Sequence, residues 1–206
     1  MFHILRHSEL IARPKLAETM FKDRAAQFVS RLNWDIGVTF AGLEIDQYDD
    51  AGAVYIVATD INGRHAASMR LRPSLGATML QEVFSDRFDV PLPANDIWES
   101  TRFCVAPNSN QDGAVRVLLA GQSLGLAQGL EASLGVVYKH TLRIYRRLGW
   151  EPEVLQSASD PTGSIVLGAW HFDHLIQAGL ARRAGLKPRV AKHWVKRALG
   201  YNPIFN

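Results

Sequence analysis

One cysteine, Cys104, among 206 residues leaves no internal disulfide framework and suits a reducing compartment. With no partner cysteine at ligand spacing, no zinc site is read. The seven histidines are scattered, and His171 and His174 read as a solvated pair rather than a metal site. No apolar run approaches the ~18 residues of a membrane span. The start, Met1-Phe2-His3-Ile4-Leu5-Arg6-His7, lacks the charged-then-apolar layout of a signal peptide. Neither metal nor membrane insertion is expected, and the expected location is cytoplasmic.

Hydrophobic content of 47% with 21% charged residues is ordinary for a chain with a buried core. The length fits one sizeable domain, expected over residues 1–184, with a basic C-terminal extension over 185–206. Charge is uneven. Residues 1–138 balance at −4 and residues 139–206 at +7, which together give the net +3. A basic last third points to an acidic partner, either nucleic acid or an acidic protein, or to a solvated surface.

The hydrophobic pattern reads as strands followed by helices. Phe2–Arg6 reads as a short first strand. Pro14–Leu32 reads as an amphipathic helix with Leu16, Met20, Ala25, Phe28 and Leu32 inward. Asn33–Gly52 is a long loop, acidic and broken by glycines, whose Trp34, Phe40 and Tyr48 fold it back on the core. Ala53–Thr59 and Arg64–Arg72 form a hairpin across Asp60-Ile61-Asn62-Gly63. A short helix is expected over Thr78–Phe84 and a central strand over Asp96–Val105. Asn110–Leu134 reads as a helix whose Gly121, Gly125 and Gly129 permit close packing on a sheet. Gly135–Lys139 and Ser164–His171 read as strands, and Thr141–Leu148 and Phe172–Ala184 as helices. This pattern points to an α/β or α+β three-layer domain.

Two stretches carry chemistry. In Ile97-Trp98-Glu99-Ser100-Thr101-Arg102-Phe103-Cys104-Val105, period-2 alternation puts Glu99, Thr101 and Phe103 on one face and Arg102 on the other. A carboxylate and a guanidinium in an apolar strand are costly to desolvate unless paired or used. Upstream, Glu44-Ile45-Asp46-Gln47-Tyr48-Asp49-Asp50 supplies carboxylates, with Arg24 and Arg70 as counter-charges.

The ordered set Arg24-x3-Phe28-x5-Trp34, Glu44-x-Asp46-x2-Asp49, Arg70, Phe84 and Glu99-x2-Arg102 resembles the acyl-homoserine-lactone synthases, the LuxI-type autoinducer synthases. The match is close from Phe21 to Val105 and looser through Arg143-x2-Arg146-Arg147-x-Gly149-Trp150. The resemblance implies a fold like the GNAT acyltransferases: a twisted mixed sheet, splayed near its middle, with helices on both faces. It implies transfer of an acyl group from acyl-acyl carrier protein to the amine of S-adenosylmethionine, a substrate rather than a cofactor. Lactone closure then releases methylthioadenosine, and the product is a quorum-sensing signal.

That reaction assigns roles. Glu99 is the candidate general base, directly or through a water. Glu44, Asp46 and Asp49 form an acidic wall for the substrate's sulfonium and ammonium. Arg24, Arg70 and Arg102 shape that wall through bidentate pairs. Phe28, Trp34 and Phe84 box the adenine or the methionine chain, with Thr101 and Phe103 lining the same substrate site. Tyr138 lies about where some relatives carry a threonine that binds a 3-oxo group. Lys139, Arg143, Arg146 and Arg147 are expected to dock the carrier protein. No nucleic-acid partner is expected, and a monomer is. The rival readings are a GNAT N-acyltransferase using acyl-CoA, whose pyrophosphate loop does not appear cleanly between Val105 and Leu118, and a basic nucleic-acid-binding module, for which no motif is present.

Overall fold

Seven strands make one mixed sheet among the described residues, in the order β1-β2-β3-β4-β5-β7-β6. The computed structural model describes residues 2–90, 92–107, 109, 111–187, 189, 190, 193 and 196. Most of the proposed 185–206 extension therefore lies outside the described residues. The strands are β1 (Phe2–Arg6), β2 (Val54–Thr59), β3 (His65–Pro73), β4 (Ile97–Val105), β5 (Ala132–Tyr138), β6 (Glu153–Asp160) and β7 (Gly163–His171). The helices are α1 (His7–Ile11), α2 (Pro14–Ala25), α3 (Met79–Glu82), α4 (Gln111–Gln128), α5 (Leu142–Leu148) and α6 (His174–Arg183). The chain divides into two compact units: Met1–Leu71 with Arg102–Val117, and Arg72–Thr101 with Leu118–Asn206.

In the first unit β1, β2 and β3 pair antiparallel. Leu5, Leu10, Leu16, Met20, Phe21 and Val57 form its apolar core. The helix expected over Pro14–Leu32 is α2 continued by a π-helical turn, Ala26–Arg31. Its inward stripe is also different. Leu16, Met20, Arg24 and Phe28 are buried at i, i+4 spacing, while Ala25 and Leu32 are only half-buried. A buried arginine thus occupies a position where a hydrophobe is expected.

In the second unit β4 pairs parallel with β5 from Ile97 opposite Ala132 to Glu99 opposite Leu134. β5 and β7 pair antiparallel, as do β7 and β6. The helix expected to reach Leu134 stops at Gln128. Gly129 takes φ +66°, and the Leu130 N–H closes the end on the Gly125 carbonyl at 2.9 Å. Gly129 is therefore a helix terminator and not a packing glycine. Gly125 does mark a close approach, but to an aromatic ring: an added Cβ would sit 2.2 Å from Phe172. Edge strand β6, absent from the sequence reading, is largely exposed and carries an irregularity between Val154 and Gln156, so it shows no clean alternation.

Candidate active site

Arg24 projects from α2, Arg70 from β3 and Arg102 from β4, and all three meet carboxylates of the loop before β2. Arg24 Nε donates to Glu44 Oε2 at 2.5 Å, and its Nη1 and Nη2 grip Asp49 bidentately at 2.9 Å each. Arg70 holds Asp46 bidentately at 2.5 and 3.0 Å and reaches Asp49 at 2.9 Å. Arg102 donates from Nε to Glu44 Oε1 at 3.0 Å and lies 2.8 Å from Asp46 Oδ2. Each acid touches two arginines and each arginine two acids, so the six groups close a ring with balanced charge. Arg24 and Arg70 make the expected bidentate pairs, whereas Arg102 bridges Glu44 and Asp46 instead. The acidic wall is not an open acidic surface, because its charge is neutralised inside the unit. Only Asp46 keeps appreciable exposure, 15% of its side chain against 1% for Glu44 and 0% for Asp49.

Burial alone would raise the Asp49 carboxyl, but Arg24, Arg70 and the Asp46 N–H overcome it and hold Asp49 well below the ordinary carboxylate range. Burial likewise opposes the charge on Arg24 and Arg70, and their carboxylate partners reverse it. Tyr55 donates to Asp49 at 2.8 Å, so it completes the ring from β2.

Arg102 carries φ +54°, a left-handed conformation unusual for a non-glycine residue. Strict alternation along β4 therefore fails at this residue. Such a backbone persists only where the surroundings over-determine it, and here Glu44 and Asp46 hold the side chain. Its guanidinium also lies 5.6 Å from the Phe28 ring centre and 6.0 Å from that of Trp34. Those two rings stack on each other at 4.7 Å with a 13° interplanar angle. Phe103 is half-buried in the same unit. Burial and the Asp23 charge push the Cys104 thiol up to about 12, so it stays protonated at neutral pH.

The remaining predicted residues belong to the second unit. Glu99 is 1% exposed, and its carboxylate accepts the backbone N–H of Met79 at 3.2 Å and of Leu80 at 2.7 Å. It therefore tethers the first turn of α3 to β4. Phe84 packs on an apolar cluster built from Leu80, Phe88, Leu134 and Leu167. Thr101 is half-buried on β4. The Tyr138 hydroxyl is engaged by Thr162 at 2.7 Å and its ring stacks on His140. Lys139, Arg143, Arg146 and Arg147 are exposed on and before α5, while Tyr145 and Leu148 anchor that helix. Arg146 is forked onto Glu151 at 2.6–3.0 Å, so one of the four charges is already partnered. His171 bonds Glu153 at 2.8 Å from the end of β7, whereas His174 begins α6, so the two do not share a helix.

Residues 7–173 match the family model of the autoinducer synthases. The chain belongs to the autoinducer synthase family. An acyl-homoserine-lactone synthase of Rhizobium etli is 36% identical over 178 residues, 82% of this chain and 84% of its own length. A structure of BjaI, a CoA-dependent acyl-homoserine lactone synthase, with MTA covers 90% of each chain at TM-score 0.79 and 25% identity. An acyl-CoA N-acyltransferase from Pseudomonas aeruginosa shares the fold at TM-score 0.54 and 14% identity, over 82% of this chain and 99% of its own. This autoinducer synthase is thus an acyltransferase of the acyl-homoserine-lactone synthase class, on a GNAT-like mixed sheet.

Several residues of this autoinducer synthase carry structure that the sequence reading passed over. Tyr55 lies opposite Arg70 across the β2–β3 hairpin. His65 bridges Asp23 at 2.7 Å and Ser68 at 2.9 Å, tying α2 to β3 one residue from Arg24 and two from Arg70. Arg87 pairs with Asp160. None of the three has a signal at fixed spacing in the sequence, and the strand irregularity between Ala58 and Thr59 hides the register that pairs Tyr55 with Arg70.

Proposed function

We propose that this autoinducer synthase acylates the α-amine of S-adenosylmethionine from acyl-acyl carrier protein, then closes the lactone. In the first step the amine attacks the thioester carbonyl. The C–N bond forms, the C–S bond breaks, and the carrier thiol leaves with a proton. In the second, the methionine-derived carboxylate attacks its own γ-carbon, the sulfonium C–S bond breaks, and methylthioadenosine departs.

The observation that carries this reading is the closed ring of three arginines and three acids with Asp46 at its accessible edge. A charge-balanced ring holds one partly exposed carboxylate in fixed geometry, which suits a compact cation such as an ammonium or sulfonium. The Phe28–Trp34 stack beside Arg102 offers a flat face for an adenine. Glu44 and Asp49, with Arg24 and Arg70, act by positioning Asp46. Glu99 of β4, fixed by the Met79 and Leu80 N–H groups, takes the amine proton, directly or through one water. The apolar cluster under Phe84 and Tyr138 suits an acyl chain.

The donor has two readings. The exposed Lys139, Arg143 and Arg147 favour an acidic carrier protein. The likeness to the CoA-dependent BjaI favours acyl-CoA. Rates of thiol release from matched acyl-carrier and acyl-CoA thioesters separate them. The carrier reading predicts a kcat/KM at least tenfold higher for the carrier, and equal or reversed values overturn it.

A further inference from the structure

After α3 the chain forms a strap, residues 83–90 with Leu92, that is fastened to edge strand β6 by side chains. Arg87 pairs with Asp160 at the end of β6. The Asp89 N–H donates to Gln156 Oε1 at 3.1 Å, and Gln156 Nε2 donates back to the Asp89 carbonyl at 2.6 Å. Asp160 is itself held in place: it accepts the Thr162 N–H at 3.0 Å and the Thr162 hydroxyl. That hydroxyl in turn meets the Tyr138 hydroxyl at 2.7 Å. Hydrogen bonds from Thr162, with Arg87 adding to them, keep the Asp160 carboxyl below its ordinary range, so it is charged at neutral pH.

The inner side of the strap is apolar. Phe84, Phe88 and Leu92 belong to one apolar cluster with Leu134 and Val136 of β5 and Leu167 of β7. An open cavity of about 490 Å³ adjoins the strap, lined by Leu80, Phe88, Val90 and Leu92 and otherwise by polar and charged strap residues and Gln81, within the size range of small-molecule sites, ~300–1,000 Å³. Leu80 links this cavity to Glu99, because it lines the cavity while its N–H donates to the Glu99 carboxylate. An acyl group delivered beside Glu99 would direct its tail toward Leu80 and the strap.

We propose that the strap is the end wall of the acyl site, and that the Arg87–Asp160 and Asp89–Gln156 clamps set the longest acyl chain the enzyme accepts. The inference rests on the acyl-transfer reading above. Each clamp is partly solvated, so it contributes little to overall stability. The clamps therefore bias the position of the wall without holding the domain together.

The test uses the full chain, S-adenosylmethionine and an equimolar mixture of acyl donors differing by two carbons, with lactones quantified by mass spectrometry. Arg87→Gln, Asp160→Asn and Gln156→Ala should each raise the ratio of long-chain to short-chain lactone about three- to fivefold. Total turnover with the shortest donor should stay near wild type, and thermal melts confirm folding. The exchange Arg87→Asp with Asp160→Arg should return the ratio toward wild type. Unchanged ratios in folded single variants overturn the proposal, as does a shift that the exchange fails to reverse. A wild-type protein that makes lactone with no chain-length preference also overturns it, while leaving the function standing. Failure of wild type to make lactone from any donor overturns the function itself, and the strap's role with it.

Discussion

Arg24 shows how a charged residue can occupy a position on a buried helix stripe. It falls at i+4 from Met20 and i−4 from Phe28, on the buried stripe of its helix, and is 1% exposed. The carboxylates Glu44 and Asp49 make that burial tolerable. Removing one member of such a ring leaves its partners buried with unbalanced charge. Arg24→Ala should therefore cost ~3–5 kcal/mol in chemical denaturation. Asp46→Asn keeps an acceptor oxygen for Arg70 at the water-exposed edge, so it should cost less stability than Arg24→Ala while raising the KM for S-adenosylmethionine tenfold or more. Equal loss of stability in both variants would make the ring purely structural. Asp49 adds a pH signature. Its folded-state carboxyl lies below its unfolded value of about 3.9. Its contribution is thus complete above that value and is lost as pH falls toward the folded one. The stability gap between wild type and Asp49→Asn should be flat from pH 7 to about 4.5 and narrow toward pH 2. A gap that stays constant to pH 2 would contradict the assigned pairing. The sequence made the six ring members legible as a set through the family resemblance. That the arginines neutralise the acids was legible too, but which arginine holds which acid was not, because pairing across separate elements has no local spacing.

Element boundaries were readable where punctuation was strong and misread where tertiary geometry intervened. Pro14 opens α2, and Gly149, at φ +100°, closes α5 as expected. The β2–β3 hairpin was legible, but its register was not. Counted from Thr59 opposite His65, Tyr55 would face Met69, yet the irregularity between Ala58 and Thr59 moves it opposite Arg70. That single shift puts Tyr55 on the ring. The edge strand β6 was missed for a related reason: one side of it faces solvent throughout and its pairing is irregular. Glu99 acts at this scale as well, since it binds the N-terminal amides of α3. Glu99→Gln keeps one acceptor oxygen for those amides, so the fold should survive with a Tm change of a few degrees. The kcat should fall ~100-fold or more with the KM for S-adenosylmethionine nearly unchanged. Near-normal turnover would leave Glu99 as a structural tether alone.

At the scale of the whole molecule, the −4 balance of residues 1–138 and the +7 of residues 139–206 were legible as an asymmetry but not as a surface. Arg146 is spent on Glu151, and part of the positive charge lies beyond the described residues. Lys139, Arg143 and Arg147 remain exposed on and before α5. Charges at an interface rim chiefly steer encounter and are screened beyond ~8 Å at physiological salt. Reversing Arg143 and Arg147 to Glu should raise the KM for acyl-carrier protein at least fivefold and flatten its salt dependence. Turnover of a small acyl thioester should be spared. Equal damage to both donors would mean that the arginines hold the structure rather than the partner. The mixed sheet follows from strand patterning plus the family resemblance, whereas its order could not be read from alternation, which reports faces and not neighbours.

The central claim is that acylation and ring closure occur on the same S-adenosylmethionine molecule. The direct measurement is the stoichiometry of a reaction with S-adenosylmethionine isotopically labelled in its methionine carbons, following lactone, methylthioadenosine and free thiol together. The account predicts equal amounts of all three, with the label in the lactone ring. Thiol release that yields an acylated amine but neither methylthioadenosine nor lactone would contradict it.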